Sequence, residues 1–329
     1  MNAISAIGKY LDQPILTAKV NRYVPLALSA GAASILANKV HKTPNKEDKK
    51  KTAIKNAVIL ALTALSAISA PFIASKLTSR KMPFKLQEVK EQNKNLVDSF
   101  IKTNSNTDLR NILEKSKSKL LSLKEISKLF NKEKDFANKL IPPPDNIQAK
   151  DIFKEIGYLS IYGAVPVVGG IIGGIAADKI TEENWKERVP DKVNEGMYHY
   201  LANIFMCNIG AGTALGILEK MNIKSKAARC VGMIGGIILT GVIGGSKIAN
   251  FIANKIVNPV ICKNKDIKEQ RTPELLDISL HADDIATVSL LSGLKWIEPA
   301  LPLLYSISGY RAGIGYRNNS RLYNDEKTE

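Results

Sequence analysis

Cysteine is scarce in this sequence, with three residues in a chain of 329. Cys207, Cys230 and Cys262 lie far apart, and none forms a Cys-x-x-Cys pair. This spacing argues against a disulfide framework and against a zinc site. We therefore expect free, unreactive cysteines in apolar surroundings.

Recognisable catalytic motifs are also missing. The sequence has no GxSxG, Walker, dinucleotide-binding or HExxH motif, and it offers no coherent pair of nucleophile and base. We therefore predict that the protein is not an enzyme and that it carries no cofactor.

Glycine is absent between Lys76 and Glu155, whereas 16 of the 22 glycines lie between Gly157 and Gly245. Many are spaced by four residues, which places each pair on one face of a helix. Small residues let membrane helices approach closely, so the spacing favours helix packing in a membrane over a soluble core with incidental glycines. The predicted packing residues are Gly169, Gly170, Gly173, Gly174, Gly212, Gly216, Gly232, Gly236, Gly241 and Gly245.

Long uncharged runs interrupt a chain whose net charge is +16. A helix needs about 20 mainly apolar residues to cross the hydrocarbon core of a bilayer. Three runs meet this length, the last is at its short end, and the first is marginal. In chain order the runs are residues 23–38, 57–75, 156–177, 196–218 and 230–246.

A sixth apolar stretch, residues 285–310, contains Lys295 and Glu298. These residues are three apart, so they share a helix face, and Pro299 interrupts the helix directly after them. Ionisable residues at membrane depth usually face a cavity or a partner, so Lys295 and Glu298 are candidates for a polar membrane site, with Asn203 and Asn208. The alternatives are a kinked interfacial hairpin and asparagine bonds between helices.

Carboxylates and a histidine follow Thr272 and Pro273, which are typical of a helix start. Glu274, Asp277, His281 and Asp284 fall along one helical stripe, and such a set could bind a divalent ion. A solvated acidic face explains the same stripe. His199 lies between two tyrosines at the start of a long uncharged run, where aromatic residues commonly form an interfacial belt.

Residues 80–150 form a basic segment with helical periodicity and a Ser122–Glu125 capping box. Most of its basic residues are lysine, and it contains no tryptophan or tyrosine to stack on bases. These features argue against nucleic acid as a partner. They favour a solvated helical face or contact with anionic lipid headgroups.

Basic residues near the ends of the runs predict the orientation. They place both termini and the 76–155 segment in the cytoplasm and residues 178–195 outside. The lysine-rich loop 41–51 disagrees with this pattern. Either the first hairpin inserts against the bias, or the 23–38 run lies on the cytoplasmic surface without spanning.

Taken together, the patterns predict an all-α, multi-pass helical protein of the plasma (inner) membrane with an inserted small cytoplasmic helical domain. We expect a platform that presents this domain to anionic lipid or to a cytoplasmic protein. The alternative is a small transporter or channel lined by Lys295 and Glu298. Beyond the lipid bilayer, a homo-oligomer through the glycine faces is a possible assembly. The expected regions are residues 1–79, 80–150, 151–257, 258–313 and 314–329.

Overall fold

In a computed structural model, almost all of the described residues are helical. By its contacts the chain divides into two compact units. The first comprises residues 1–24, 81–147 and 285–301, and the second comprises residues 25–80, 148–284 and 302–329. The structure describes residues 3–79, 85–104, 109–143, 148–261, 267–268, 271–275, 277, 298–316 and 322–323.

The first unit is built from short amphipathic helices and the beginning of a long one. Apolar side chains recur at helical spacing in each, so each buries one face, and α4, α6 and α7 expose lysines on the other. The helices are α1 (Ala3–Leu11), the start of α2 (Pro14–Lys42), α4 (Leu86–Thr103), α5 (Arg110–Ser116), α6 (Leu123–Lys132) and α7 (Lys134–Leu140).

Side chains from several of these helices form the core of the first unit. Its fully buried members include Val97, Leu113 and Leu129, and α1 packs against α6. The predicted capping box is confirmed, because the Ser122 side chain accepts from the Glu125 backbone N–H while the Glu125 carboxylate accepts from the Ser122 N–H.

Gln13 connects the N-terminal segment to this core. Its side-chain amide donates to the Leu121 carbonyl oxygen at 3.0 Å and accepts from the Leu121 N–H at 2.8 Å. Gln13 is buried, so both polar groups of Leu121 are satisfied where water does not reach. Residues 3–24 therefore complete a helical unit with α4 to α7, and Gln13 and Leu121 are 108 positions apart in the sequence.

Long apolar helices make up most of the second unit. Beyond the end of α2, the helices of this unit, of which α12 and α13 are short, are α3 (Lys46–Thr78), α8 (Ala149–Ile180), α9 (Trp185–Tyr200), α10 (Met206–Lys220), α11 (Lys226–Gly236), α12 (Ser246–Ile252), α13 (Asn258–Ile261) and α14 (Leu301–Ile314). Three π-helical segments, Leu201–Phe205, Ile237–Gly245 and Ala253–Val257, join α9 to α10, α11 to α12 and α12 to α13. Ile267–Lys268 and Leu322–Tyr323 pair as two short antiparallel strands.

Four helices in the described part of the chain are long and apolar enough to cross a membrane. They coincide with the four longer uncharged runs of the sequence. The marginal run 23–38 lies in α2, which does not reach the same hydropathy, so both alternatives for that run stay open. The four helices are Lys46–Thr78, Ala149–Ile180, Trp185–Lys220 and Ala227–Val260.

Helix α8 lies between two neighbours and is glycine-rich on both contact faces. A Cβ added at Gly173 would lie 3.2 Å from the Ile59 Cα of α3. On the other face, a Cβ at Gly170 would overlap the backbone carbonyl of Gly309 in α14. A Cβ at Gly313, one turn further along α14, would lie 2.6 Å from the Gly170 carbonyl oxygen. Helix α14 therefore approaches α8 at a distance that only glycine permits, and α3 approaches it more closely than most Cβ contacts in proteins.

We predict that Gly170→Ala destabilises the second unit by about 1–3 kcal/mol, because the new methyl group must displace the Gly309 carbonyl. Thermal unfolding of the full chain in detergent micelles measures the effect. Gly235→Ala is the matched control, since nothing lies within 4 Å of a Cβ added there. Equal unfolding temperatures for the two variants would contradict this account.

Candidate functional site: two buried ionic clusters

Helix α9 carries a stripe of polar side chains into the apolar bundle. Arg188, Lys192, Glu195 and His199 follow one another at steps of three or four residues, and Asn203 continues the stripe in the π segment. This spacing places them on one helix face. All except Arg188 are buried, so each requires a polar partner.

The first half of the stripe belongs to the Asp178 cluster, which consists of Lys55, Asp178, Glu183, Arg188 and Lys192. The Lys192 ammonium donates to Asp178 Oδ2 at 2.6 Å, and both side chains are fully buried. Lys55 Nζ lies 3.1 Å from the other oxygen of the same carboxylate. The cluster therefore links α3, α8 and α9 at one buried charge.

The second half belongs to the arginine cluster, which consists of Glu195, His199, Arg271, Glu274, Asp277 and Arg311. At its centre Arg271 Nε donates to Glu195 Oε2 at 3.1 Å, and its NH2 group lies 3.0 Å from Asp277 Oδ2. The guanidinium also lies 4.2 Å from the centre of the Tyr198 ring. Glu195, Arg271 and Asp277 are fully buried, so the arginine neutralises two desolvated carboxylates at once.

The backbone of Arg271 is held as firmly as its side chain. Asn250 accepts from the Arg271 N–H at 2.9 Å and donates to its carbonyl oxygen at 2.9 Å. Ser246 donates to the same carbonyl at 3.1 Å. An irregular segment is thereby fixed onto α12 with its polar backbone groups satisfied.

Arg311 brings α14 into the cluster. It donates to Glu274 at 2.8 Å, and the Tyr316 hydroxyl donates to the other oxygen of that carboxylate at 2.9 Å. Burial raises the pKa of Glu274, but these two bonds outweigh it, and the pKa lies below its ordinary value. The same hydrogen bond raises the pKa of Tyr316.

His199 lies between the carboxylates and the apolar bundle. Its Nε2 is 3.2 Å from Glu195 Oε1, and its Nδ1 is 2.9 Å from the Asn203 side-chain nitrogen. That nitrogen is also 3.5 Å from Asp277 Oδ1, which fits a donating amide group. The interfacial-belt interpretation of His199 and Tyr198 is wrong, because both are buried.

The described half of the predicted acidic stripe is engaged by cations. Glu274 faces Arg311, Asp277 faces Arg271, and Asp277 also accepts from the Glu274 N–H. Among the described residues no group of three or more histidine, cysteine or carboxylate side chains has metal-binding geometry. His281 and Asp284 lie outside the described residues, so the metal site stays a prediction.

The structure describes three residues of the predicted polar membrane site, Asn203, Asn208 and Glu298. Asn208 donates to the Ile204 carbonyl of its own helix at 2.7 Å. Glu298 begins a short 3₁₀ helix, Glu298–Ala300, in the first unit, whereas Asn203 and Asn208 belong to the second unit. Lys295 lies outside the described residues, so its predicted pairing with Glu298 is untested.

The predicted packing glycines all have a neighbour in the structure. A Cβ added at any of the ten would lie within 4 Å of an atom from another helix. The opposing glycines Gly309 and Gly313 were not among them, although they show the same spacing of four. The arginine cluster was also missed, since Arg271 joins Glu195 across 76 residues.

We predict that Arg271→Met lowers the free energy of unfolding by about 3–5 kcal/mol, because Glu195 and Asp277 lose their nearest arginine in a buried site and keep only Arg311, at 3.5 Å and 3.9 Å. The measurement is denaturant or thermal unfolding in micelles.

Arg188→Met is the matched control, since it removes an arginine from the other ionic cluster. Arg188 is 38% exposed, and Asp178 keeps Lys192 and Lys55 as partners. We expect a cost of about 1 kcal/mol or less there. An equally small cost at Arg271 would show that the arginine cluster does not stabilise the bundle.

The lowered pKa of Glu274 predicts a pH dependence. Its contribution to stability is present above the ordinary glutamate pKa of about 4.3 and is lost as the pH falls through the lower folded-state value. The stability difference between the wild type and Glu274→Gln should therefore be constant above about pH 5 and shrink on acidification.

Unfolding measured between about pH 3 and pH 7 tests this prediction. Glu114→Gln is the control, because that carboxylate is 51% exposed in its pair with Lys117 and should change stability little. A Glu274 difference that persists unchanged at the acidic end would contradict the assignment.

Comparison with protein-family models, with curated proteins and with solved structures finds no match to this chain. The function is therefore argued from the geometry, burial and charge described above.

Proposed function

We propose that the chain is a multi-pass membrane protein that anchors a small basic helical unit at the membrane. One observation carries the proposal: the four long apolar helices keep large apolar side chains on their outer surface. Leu65 is 63% exposed, Val231 is 70% exposed and Leu239 is 66% exposed. A soluble protein rarely exposes such continuous apolar surface, whereas a bilayer covers it.

The positions of the buried charges support the same proposal. Asp178 ends the uncharged run 156–177, and Glu195 directly precedes the run 196–218. Both clusters therefore lie where apolar helix surface gives way to polar residues. Charged side chains are far less costly at this depth than at the centre of a bilayer.

The described contacts favour an anchor over a transporter. The cavity lined by Asn203, Ile204, Leu304, Tyr305 and Ser308 has essentially no room for a water molecule. Asn208 is bonded within its own helix, and each described carboxylate of the arginine cluster faces a cation. Such an arrangement locks helices together, so the pathway lined by Lys295 and Glu298 is the weaker alternative.

The glycine faces bear on self-association. Gly170 and Gly174 contact α14, and Gly169 and Gly173 contact α3 of the same chain. Faces that are already occupied offer no surface to a second copy. We therefore do not extend the proposal to a homo-oligomer, and we propose anionic lipid as the partner of the basic unit.

Native cysteines provide the experiment. We expect the full chain to resist extraction by alkaline carbonate. We also expect an impermeant maleimide to label Cys262 in intact cells and Cys230 only after permeabilisation. Cys207 is fully buried and serves as the unlabelled internal control, and Cys230→Ser and Cys262→Ser assign the signals. Carbonate release would overturn membrane anchoring, and labelling of Cys230 in intact cells would invert the orientation.

A further inference from the structure

The first unit has a groove between α2 and α4 with a volume of about 370 Å³. Arg22, Lys85 and Lys90 lie along it with the amide side chains of Asn21 and Gln87. The volume falls in the range typical of small-ligand sites. Three cations and two amides in one groove form a surface that attracts an anion with several acceptor oxygens.

The floor of the groove is apolar. Ala18 and Leu86 line it, and Ala18 belongs to a buried apolar cluster with Ile15 and Val89. An amphipathic groove of this kind fits a ligand that has an anionic group joined to an apolar part. A free inorganic anion would use only the basic rim.

The carboxylate beside the rim does not cancel its charge. Glu88 Oε1 lies 3.3 Å from Lys85 Nζ, and both side chains are more than half exposed. Arg22 is exposed, and Lys90 is partly exposed. The described lining of the groove contains no acidic residue, so the rim has a net positive charge.

The uncharged run 23–38 begins one residue after Arg22 in the same helix. Its apolar side chains include Leu26, which is 66% exposed, and Ile35. If this run enters or lies on a bilayer, Arg22 is at the depth of the headgroups. Arginine and lysine at the end of an apolar helix commonly contact lipid phosphates there.

We propose that this groove binds the phosphate-bearing headgroup of an anionic membrane lipid. Arg22, Lys85 and Lys90 hold the phosphate oxygens, and Ala18 and Leu86 contact the glycerol and the upper part of the acyl chains. The inference rests on the proposed function, because it gives the basic unit a lipid as its partner. It assigns a defined binding site to a basic unit that would otherwise be attracted to anionic lipid only by its net charge.

Native mass spectrometry of the full chain in neutral detergent tests the site with two soluble probes, dihexanoyl phosphatidylserine and dihexanoyl phosphatidylcholine. We expect a one-to-one phosphatidylserine adduct. The triple variant Arg22→Gln/Lys85→Gln/Lys90→Gln should weaken phosphatidylserine binding about 10-fold or more. Lys85→Arg/Lys90→Arg should retain it, because the charge is kept.

The triple variant Lys119→Gln/Lys124→Gln/Lys128→Gln is the matched control. It removes the same charge from exposed positions of the same unit and should change binding less than about twofold. Equal loss in both triple variants would mean that only net charge attracts the lipid, which overturns the site. Helix content from circular dichroism checks that each variant is folded.

Three further results would overturn the proposal, and they are distinguishable. If the wild-type chain resists carbonate extraction but binds the two lipids equally well, the proposed lipid site is overturned. The proposed membrane anchor is not affected by that result. If alkaline carbonate releases the wild-type chain from the membrane, both the lipid site and the proposed membrane anchor are overturned. Competition by inorganic phosphate at the same concentration as the lipid would assign the groove to a free anion, since a lipid site also uses the apolar floor.

Discussion

The second unit depends on the close approach of three helix backbones, with α8 in the middle. Alternate glycine pairs of α8 face opposite neighbours, so α3 and α14 both contact its backbone. Arg311 lies between Gly309 and Gly313 on α14, and the approach of that helix therefore carries Arg311 to Glu195 and Glu274. Gly174 likewise leaves room for the Lys192 side chain on its way to Asp178. Close backbone packing therefore positions Lys192 and Arg311, one cation of each ionic cluster.

Burying a charged side chain costs solvation free energy. In both clusters this cost is reduced because each buried charge has partners of opposite sign. Arg271 serves two carboxylates and lies against an aromatic ring, while Asp178 is shared by cations from α3 and α9. Replacing such pairs by apolar residues is often neutral in soluble proteins, so their value is in orientation as much as in stability. Charges of opposite sign on α3, α8, α9 and α14 fix the rotation of each helix about its axis, which apolar contact alone leaves loosely defined.

The long helices could be predicted from the sequence because their signal is local. The length and low polarity of runs such as 156–177 and 196–218 are visible in the sequence itself. The capping box at Ser122 can likewise be predicted from four consecutive residues. The clusters could not be predicted in the same way. Arg271 lies in an irregular segment, and nothing near it in sequence indicates Glu195 as its partner. The glycine spacing of α14 was visible, but the helix it would contact was not, since several helices offer the same spacing.

Gln13 imposes an order on the biosynthesis of the protein. Its partner Leu121, with which it exchanges two hydrogen bonds, is 108 positions further along the chain. While the ribosome is still making α3, the N-terminal amphipathic segment has no core to join. Its apolar face, which includes Ile15 and Ala18, is then free to bind a chaperone or a membrane surface. The first unit can form only after α4 to α7 have emerged from the ribosome. Its formation then carries the entropic cost of closing a loop of about 100 residues between Gln13 and Leu121.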